Sequence, residues 1–341
     1  MVVVGAGVSG LECARCLARA GHDVLVIDKA RGVGGRCASR RVEGQPVDHG
    51  LAFLHGRDPS FLAALDAVAA EGAGTALEGW PAAVQGSGSP CQPDAFAPGE
   101  RRVAFAEGVS AFPKHLAHDL RVRLQTRVVS LALAGTRIAL ELDDGGRLDA
   151  ETVVLALPLE QARELLATLP AGIAELDGVR ALLSMLGTLP CLTVMAGYPL
   201  EAGGSAGFDL CYPESSRALQ LVAHDSAKRA APARRVMVYQ ARPAWSRERL
   251  EAEPPRWAAE LLEEAGRLCG AWAASPLWQQ THRWRYARVD RGSELSSPLL
   301  VAFPGGARIA LAGELFAPGG GVEAAFLSGR RLAARLHEDT A

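Results

Sequence analysis

The residues best suited to chemistry begin almost at the first position. Gly5, Gly7 and Gly10 in VVVGAGVSG form a G-x-G-x-x-G run, and Asp28 follows 18 residues after its last glycine. Glycines at that spacing permit a tight turn, close approach of backbone to a pyrophosphate, and close packing of a helix on a strand. Val8 and Ser9 sit in the opening turn, where unpaired N–H groups and the positive end of a helix dipole suit a phosphate. Asp28 is placed to accept hydrogen bonds from the ribose hydroxyls of a dinucleotide. The next segment, KARGVGGRCASRR, sets Lys29, Gly34, Gly35 and Arg36 among further arginines. Flexible backbone beside guanidinium groups fits an anion, most simply the same pyrophosphate. A second glycine-rich stretch, LAGELFAPGGGVEAAFLSG, lies near the far end, with Gly313, Glu314, Gly319, Gly320 and Gly321 ahead of Val322 and a helical pattern.

Between these ends lie the other candidates. Asp48, His49 and Gly50 fall in PVDHGLAFL, and Arg57 follows shortly after. His224 stands in VAHDSAK, and HRWRYARV carries His282, Arg283, Trp284, Arg285 and Tyr286. Alternation along a strand puts Trp284 and Tyr286 on one face and Arg283 and Arg285 on the other, and that aromatic pair could equally be core. Phe53, Trp80, Phe96 and Trp245 are further aromatics available to a pocket. His224 could be a satisfied structural histidine, while His22, His115, His118 and His337 read as solvated. Cys13-x-x-Cys16 falls on the first helix, where two small apolar residues packing on a sheet are a simpler reading than a redox pair. No His or Cys spacing of metal-site type occurs beyond that pair.

Elements that could position these groups follow from periodicity. Val2–Val4 is a buried strand, about Gly10 to Ala20 an amphipathic helix, and HDVLVID (22–28) a second strand, giving βαβ order. Pro46–Leu54 reads as one short strand, and SFLAALDAVAAEG and GVSAFPKHLAH as helices. VRLQTRVVSLAL is a strand, TRIALELDDGGRLDA a hairpin, TVVLALP a buried strand, and Leu159–Leu169 a helix. The middle of the chain alternates strands with the helix PPRWAAELLEEAGRLCG. RIALAGELF is the last strand and GVEAAFLSGRRLAARLHE the last helix. The Gly-, Ser- and Pro-rich stretch from Gly72 to Glu100 marks a crossover into a second lobe.

Composition narrows the partners. The chain has 341 residues, 49% hydrophobic, with a formal net charge of −2 and no long block of like charge. That argues against a nucleic-acid partner and a polybasic membrane patch. No apolar run reaches the roughly 18 residues that span a bilayer. Seven scattered cysteines form no disulfide framework, and no signal peptide is recognisable, so a cytoplasmic location is expected.

Taken in order, the motifs resemble the FAD-dependent oxidoreductases of the glutathione-reductase type, which include the monoamine oxidase, protoporphyrinogen oxidase and phytoene desaturase groups. IDKARGVGGRCASRR, VDHGLAFLHGRDPSF, GVSAFPKHLAHDLRVRLQTRVVSL, LVAHDSAKRA, HRWRYARV and the terminal LAGELFAPGGGVEAAFLSG are similar, more narrowly, to the renalase branch. Three departures stand out: Glu314 where Asp is usual, Ala324 where Gly is usual, and Cys37 where Met is common. The resemblance implies an α/β fold with a Rossmann-like FAD-binding domain of three-layer ββα form and a second, mixed-sheet α+β substrate lobe. It places the first at 1–78, 106–160 and 283–341 and the second at 79–105 and 161–282. FAD would be noncovalent, since the terminal loop has no cysteine. Its sites would comprise Gly5, Gly7, Val8, Ser9, Gly10, Asp28, Lys29, Gly34, Gly35, Arg36, Asp48, His49, Gly50, Val128, Gly313, Glu314, Gly320, Gly321 and Val322.

A flavin of this kind accepts a substrate hydride, while the protein supplies positioning and electrostatics. The N-terminus of the last helix would stabilise charge on the reduced ring. His49, His224, Trp284, Tyr286 and Arg57 are the candidate catalytic residues. The surrounding cations fit a polar or anionic substrate, and the renalase resemblance implies oxidation of dihydronicotinamide isomers to NAD(P)+, with O2 reoxidising the flavin to hydrogen peroxide. An amine oxidase or desaturase acting on a secondary metabolite is the first alternative. A non-catalytic binding protein on the same fold is the second, and it predicts little bound FAD.

Overall fold

The computed structural model describes residues 1–88, 90, 92–204 and 207–339. Ser89 and Cys91, in the Gly-, Ser- and Pro-rich crossover, lie outside the described residues, as do Ser205, Ala206, Thr340 and Ala341. The chain divides into two compact units, one of residues 1–35, 113–188 and 288–341, the other of residues 36–112 and 189–287.

The first unit is Rossmann-like. Strand Val2–Val4 pairs in parallel with Leu25–Ile27 on one side and Thr152–Leu155 on the other. Val122–Arg123 and Arg308–Leu311 extend the parallel sheet, and Leu299–Ala302 closes one edge antiparallel. Strands Val2–Val4 and Leu25–Ile27 are apolar throughout because both faces are covered. Val2, Val4, Ile27, Val153, Leu155, Ile309 and Leu311 share a core with the three-stranded meander Val128–Ala134, Arg137–Leu142 and Arg147–Ala150, and with helices Leu159–Leu166 and Ala174–Ser184. Val3, Val26, Val154 and Ala310 point the opposite way and are buried too. On that side helix Val8–Arg19 packs against the sheet and against helix Gly321–Glu338. This gives the expected three layers.

The second unit holds a mixed sheet in the order Trp278–Val289, Thr188–Tyr198, Arg235–Ala241, Leu219–His224, Leu210–Cys211, Val84–Gln85. Helix Pro254–Cys269 covers one face through Trp257, Leu261 and Ala265, packed on Tyr198, Val222 and Tyr239. The other face carries Met195, Leu221 and Val238, packed on Val47, Phe53 and Trp80.

Several expected boundaries move. HDVLVID is a strand only over Leu25–Ile27, and Pro46–Leu54 is two strands, Gln45–Asp48 and Leu54–Gly56, with His49 and Gly50 in the connection. VRLQTRVVSLAL likewise splits into Val122–Arg123 and Val128–Ala134. Helices Ala174–Ser184 and Pro243–Glu248 have no counterpart in the sequence reading. Residues 36–78 and 106–112 cluster with the second unit and 161–188 with the first. Val42, Val47 and Phe53 pack under the mixed sheet, and Leu176 and Leu183 pack under the meander.

Candidate functional site

In the first unit the glycine loop has the shape its spacing implies. Gly5 has φ +112°, and a Cβ there would collide with the carbonyl oxygen of Ala156. A Cβ on Gly10 would collide with the carbonyl oxygen of Gly5, which is what close packing of helix on strand requires. Around Gly7, by contrast, nothing would lie within 4 Å of a Cβ. Gly7 is the N-cap of helix Val8–Arg19, no side chain caps it, and no acidic residue occupies the first turn. The helix therefore presents uncapped N–H groups and unopposed dipole to an open space. The Ser9 hydroxyl beside it is buried and lacks a hydrogen-bond partner.

Asp28 closes one side. Its Oδ2 accepts from the Ala6 N–H at 2.7 Å and its Oδ1 from the Ala30 N–H at 2.8 Å. Each oxygen keeps lone-pair capacity for a further donor. The Gly34 N–H donates to the Ala6 carbonyl at 2.8 Å, and Gly7 and Gly34 form an isolated bridge. Gly34 and Gly35 are thus drawn beside the first glycine loop, while Lys29 is exposed next to Asp28. Val128 is buried in the meander core, so only its main chain is available to a ligand.

The terminal loop belongs to the same unit. Gly319, Gly320 and Gly321 have φ of 92°, 64° and 75°, a left-handed run that side chains rarely tolerate. The Gly321 N–H donates to Glu314 Oε1 at 3.1 Å, and the Gly313 N–H to Ser328 Oγ at 3.0 Å. Helix Gly321–Glu338 crosses the first helix where Gly329 meets the Ser9 carbonyl, with no room for a Cβ. Val322 and Ala324 are buried in its first turns, so the extra methyl of Ala324 is accommodated as packing. Glu12, which the sequence reading passed over, is fully buried and ties the two helices through Arg15 and Arg330. Cys13 is buried, and Cys16 donates to Glu12. Burial, then the Glu12 carboxylate, pushes the Cys16 thiol up to about 12. Neither thiol has the character of a redox nucleophile.

These features fit a dinucleotide such as FAD: an orphaned hydroxyl, an uncapped helix start, and glycines where a Cβ would fill the cradle.

In the second unit, the loop that carries His49 and Gly50 is clamped from several elements. The Trp284 indole N–H donates to the His49 carbonyl at 3.0 Å. Gln240 Nε2 donates to the Gly50 carbonyl at 2.5 Å, and the Leu51 N–H donates to the Arg36 carbonyl at 3.2 Å. A Cβ on Gly50 would collide with the Arg36 carbonyl oxygen and lie 3.0 Å from the Trp284 ring. Lys228 Nζ reaches both ends of the loop: it pairs with the Asp48 carboxylate and donates to the Ala52 carbonyl at 3.0 Å.

Asp48, expected beside the cofactor, anchors this loop through its side chain. Its carboxylate also accepts from Ser39 at 2.5 Å and from the Val109 N–H at 3.0 Å, and faces Arg229 at 3.5 Å. Asp225 completes a buried quartet, 2.6 Å from Lys228 and 3.1 Å from Arg229. Burial would raise the Asp48 carboxyl, but Lys228 and Arg229 more than offset it and hold it below its ordinary value.

Around this loop His49, His282 and Trp284 form an aromatic cluster. The His49 ring meets His282 edge-on at 4.8 Å and stacks on Trp284 at 5.2 Å, and His282 lies 4.1 Å from Trp284. His49 is buried, and its Nδ1 has no partner within hydrogen-bonding distance. Burial, then the neighbouring His282 and Arg40, lower His49 to about 3. Burial, then Arg40, lower His282 to about 4. Both are neutral at physiological pH.

The other expected catalytic residues stand elsewhere. Arg57 is 74% exposed and faces Glu100 at 3.8 Å. His224 stands at the N-cap position of the short helix Asp225–Lys228 without a side-chain cap, beside Asp209 and Arg235. Tyr286 follows Trp284 on the same strand and is half-buried. Arg283 turns to the opposite side and donates to the Ala252 carbonyl at 2.8 Å, and Arg285 pairs with Glu251; the alternation along this strand holds. Trp245 lies under the Arg249 guanidinium, 4.3 Å from it, and packs on the helix-covered side of the sheet. Phe53, Trp80 and Phe96 pack together as core, with Lys228 over the Trp80 ring. His115, expected to be solvated, is buried at 8% exposure. Among the described residues no group of three or more His, Cys, Asp or Glu is arranged to hold a metal ion, and no helix is long and apolar enough to cross a membrane.

Comparison with known proteins agrees with this layout. Residues 3–68 match an NAD(P)-binding Rossmann-like domain, and residues 72–337 match the flavin containing amine oxidoreductase family. Among curated proteins, (S)-6-hydroxynicotine oxidase from Paenarthrobacter nicotinovorans is 44% identical over 66 residues, 18% of this chain and 16% of that protein. A zeta-carotene-forming phytoene desaturase from Myxococcus xanthus is 52% identical over 54 residues, 16% of this chain and 10% of that protein. The chain covers less than half the length of the curated relatives it matches. Among solved structures, cyclohexylamine oxidase from Brevibacterium oxydans superposes with a TM-score of 0.71 at 14% identity, covering 99% of this chain and 98% of that one.

Proposed function

Since the chain belongs to the flavin-containing amine oxidoreductase family, we propose that it is an FAD-dependent oxidase. In this reading it removes a hydride from a carbon bonded to nitrogen in a small uncharged amine, and O2 takes the electron pair to give hydrogen peroxide. FAD is the cofactor of this family and, when bound, supplies the hydride acceptor. Gly5, Gly7, Val8, Ser9 and Gly10 are assigned to the pyrophosphate, Asp28 to the ribose, and Lys29, Gly34 and Gly35 to the margin of the same loop. Gly313, Glu314, Gly320, Gly321 and Val322 are assigned to the ribityl chain and ring, where the start of the last helix favours negative charge. Arg36, His49, Gly50 and the Val128 main chain complete the cofactor set. His49, His282, Trp284 and Tyr286 are assigned to the substrate. The FAD-binding part follows the motif-based segments 1–78, 106–160 and 283–341.

One observation carries the choice of an uncharged amine. The cations that make an anionic substrate attractive in the sequence are engaged elsewhere, Arg283 on Ala252, Arg285 on Glu251 and Arg57 facing Glu100. Around His49 stand the neutral His282 imidazole and the Trp284 indole, with the Arg40 guanidinium on the His282 ring. A hydride donor must keep its nitrogen lone pair free, so a site that disfavours an ammonium suits it.

A second reading, oxidation of dihydronicotinamide isomers in the manner of renalase, is favoured by the alternate residues His282, Trp284 and Tyr286 on one strand, with Arg40 bonded to His282. The two are separated by mixing the purified flavoprotein anaerobically with benzylamine, with putrescine, and with 2- and 6-dihydronicotinamide dinucleotides. Rapid bleaching by an amine supports the first. Bleaching by the dihydro isomers alone replaces it with the second.

A further inference from the structure

We infer that Arg40 is a positioning residue for His282: it fixes the imidazole in the tautomer that carries its proton on Nε2, and so makes the His49–His282–Trp284 cluster admit a substrate nitrogen only as the free base. The first clause rests on geometry alone, the second on the amine reading above.

A guanidinium donates hydrogen bonds and accepts none. Arg40 Nη2 lies 3.2 Å from His282 Nδ1, so that nitrogen must offer a lone pair, and the ring proton must sit on Nε2. The guanidinium is itself held by the strand that carries His282. Nη1 reaches Gln280 Oε1 at 3.2 Å and the Thr281 carbonyl at 3.3 Å. A planar fork engaged with successive residues of one strand has little freedom to turn away. Protonating His282 would set one N–H against another and place two cations in contact.

The groups that face His282 are Arg40, His49 and Trp284. The carboxylate beside His49 is Asp48, already committed to Lys228 and Arg229. An ammonium entering this cluster would meet Arg40 as the nearest fixed charge and find no counter-ion. A free amine would meet an indole face and the Nε2–H of His282. Burial and Arg40 together lower His282 to about 4, consistent with that arrangement.

The test is side-chain 15N NMR of histidine-labelled holoprotein from pH 5 to 8, with His282→Gln identifying the resonance. In the wild type, His282 should show a single Nε2–H tautomer that does not titrate across this range. In Arg40→Gln the ring should mix tautomers and titrate at least about one pH unit higher, a tenfold change in its protonated fraction at a given acidic pH. Arg40→Lys, which keeps a donor and a charge, should largely restore the wild-type pattern. A wild-type His282 that titrates near its ordinary 6.5 overturns the inference, as does an Arg40→Gln protein with unchanged tautomer and titration. On the same samples, kcat/KM for benzylamine should fall less steeply between pH 8 and pH 6 in Arg40→Gln than in the wild type, because the ammonium is no longer turned away; equal slopes overturn the free-base clause. If the NMR pattern holds and no amine reduces the flavin, the failure belongs to the amine reading and not to the role of Arg40.

Discussion

Replacing Lys228 with Met asks whether the buried quartet really anchors the His49 loop. The ammonium is fully buried and serves Asp48, Asp225 and the Ala52 carbonyl at once. Met has a similar length and no donor, so two carboxylates would share Arg229 alone, and the Ala52 carbonyl would lose its partner. Breaking a buried ion pair from one side costs about 3–5 kcal/mol, and an orphaned buried carbonyl adds about 1–3 kcal/mol; the two overlap because one nitrogen supplies both. A loss of about 4 kcal/mol is a large share of the roughly 5–15 kcal/mol that holds a typical domain. At roughly 2–4 °C per kcal/mol, the melting temperature should drop by on the order of 10 °C. Removing Asp48 as well, in Lys228→Met/Asp48→Asn, should recover part of the loss, because one of the uncompensated charges is gone. Differential scanning fluorimetry of the three proteins measures this. A Lys228→Met protein that melts within about 2 °C of the wild type, or a double variant that is simply additive, would refute the argument.

Gly320→Val places a β-branched residue at φ 64° and should yield protein depleted of flavin; a variant that purifies with a full complement contradicts the role given to the terminal loop. Gly50→Ala should cost about 1–3 kcal/mol through overpacking and shift Trp284 fluorescence, since the new Cβ collides with the Arg36 carbonyl and crowds the ring; unchanged stability and emission count against the clamp. Asp48 has a lowered folded pKa, so its stabilisation is present above the unfolded value of 3.8 and is lost as pH falls through the lower folded one. Acid unfolding of the wild type should therefore set in below about pH 4, and Asp48→Asn should flatten that limb; an identical acid limb in both argues against it. His49 and His282, lowered to about 3 and 4, should leave wild-type kcat without an imidazole limb between pH 5 and 8, and a clear ionisation near 6.5 contradicts their neutral state.

The first unit was legible because its signals are local. The glycine run, the three-valine strand, Asp28 and the terminal helix each announce themselves within a few residues, and helix Gly321–Glu338 falls on the expected boundaries. What escaped depends on pairing across long separations. Asp48 reads as a ligand beside a histidine and a glycine; that it is neutralised by Lys228, far along the chain, is visible only once the HDSAK turn packs beneath its strand. The same holds for His282, whose partner Arg40 comes from the arginine segment read as an anion site. Glu12 carries no sequence signal for its role, because its partner Arg330 comes from the last helix. The cations of HRWRYARV were counted as available because sequence shows that a charge exists and not what neutralises it, although period-two alternation placed them correctly on the face away from Trp284.

The most direct measurement is the absorption spectrum of the purified protein during anaerobic addition of benzylamine. The account predicts a flavin spectrum at the outset, bleached by the amine and restored on admitting air, with hydrogen peroxide formed in proportion. A colourless protein that gains no spectrum on incubation with FAD, or a flavin band untouched by amines and dihydronicotinamides alike, would contradict it.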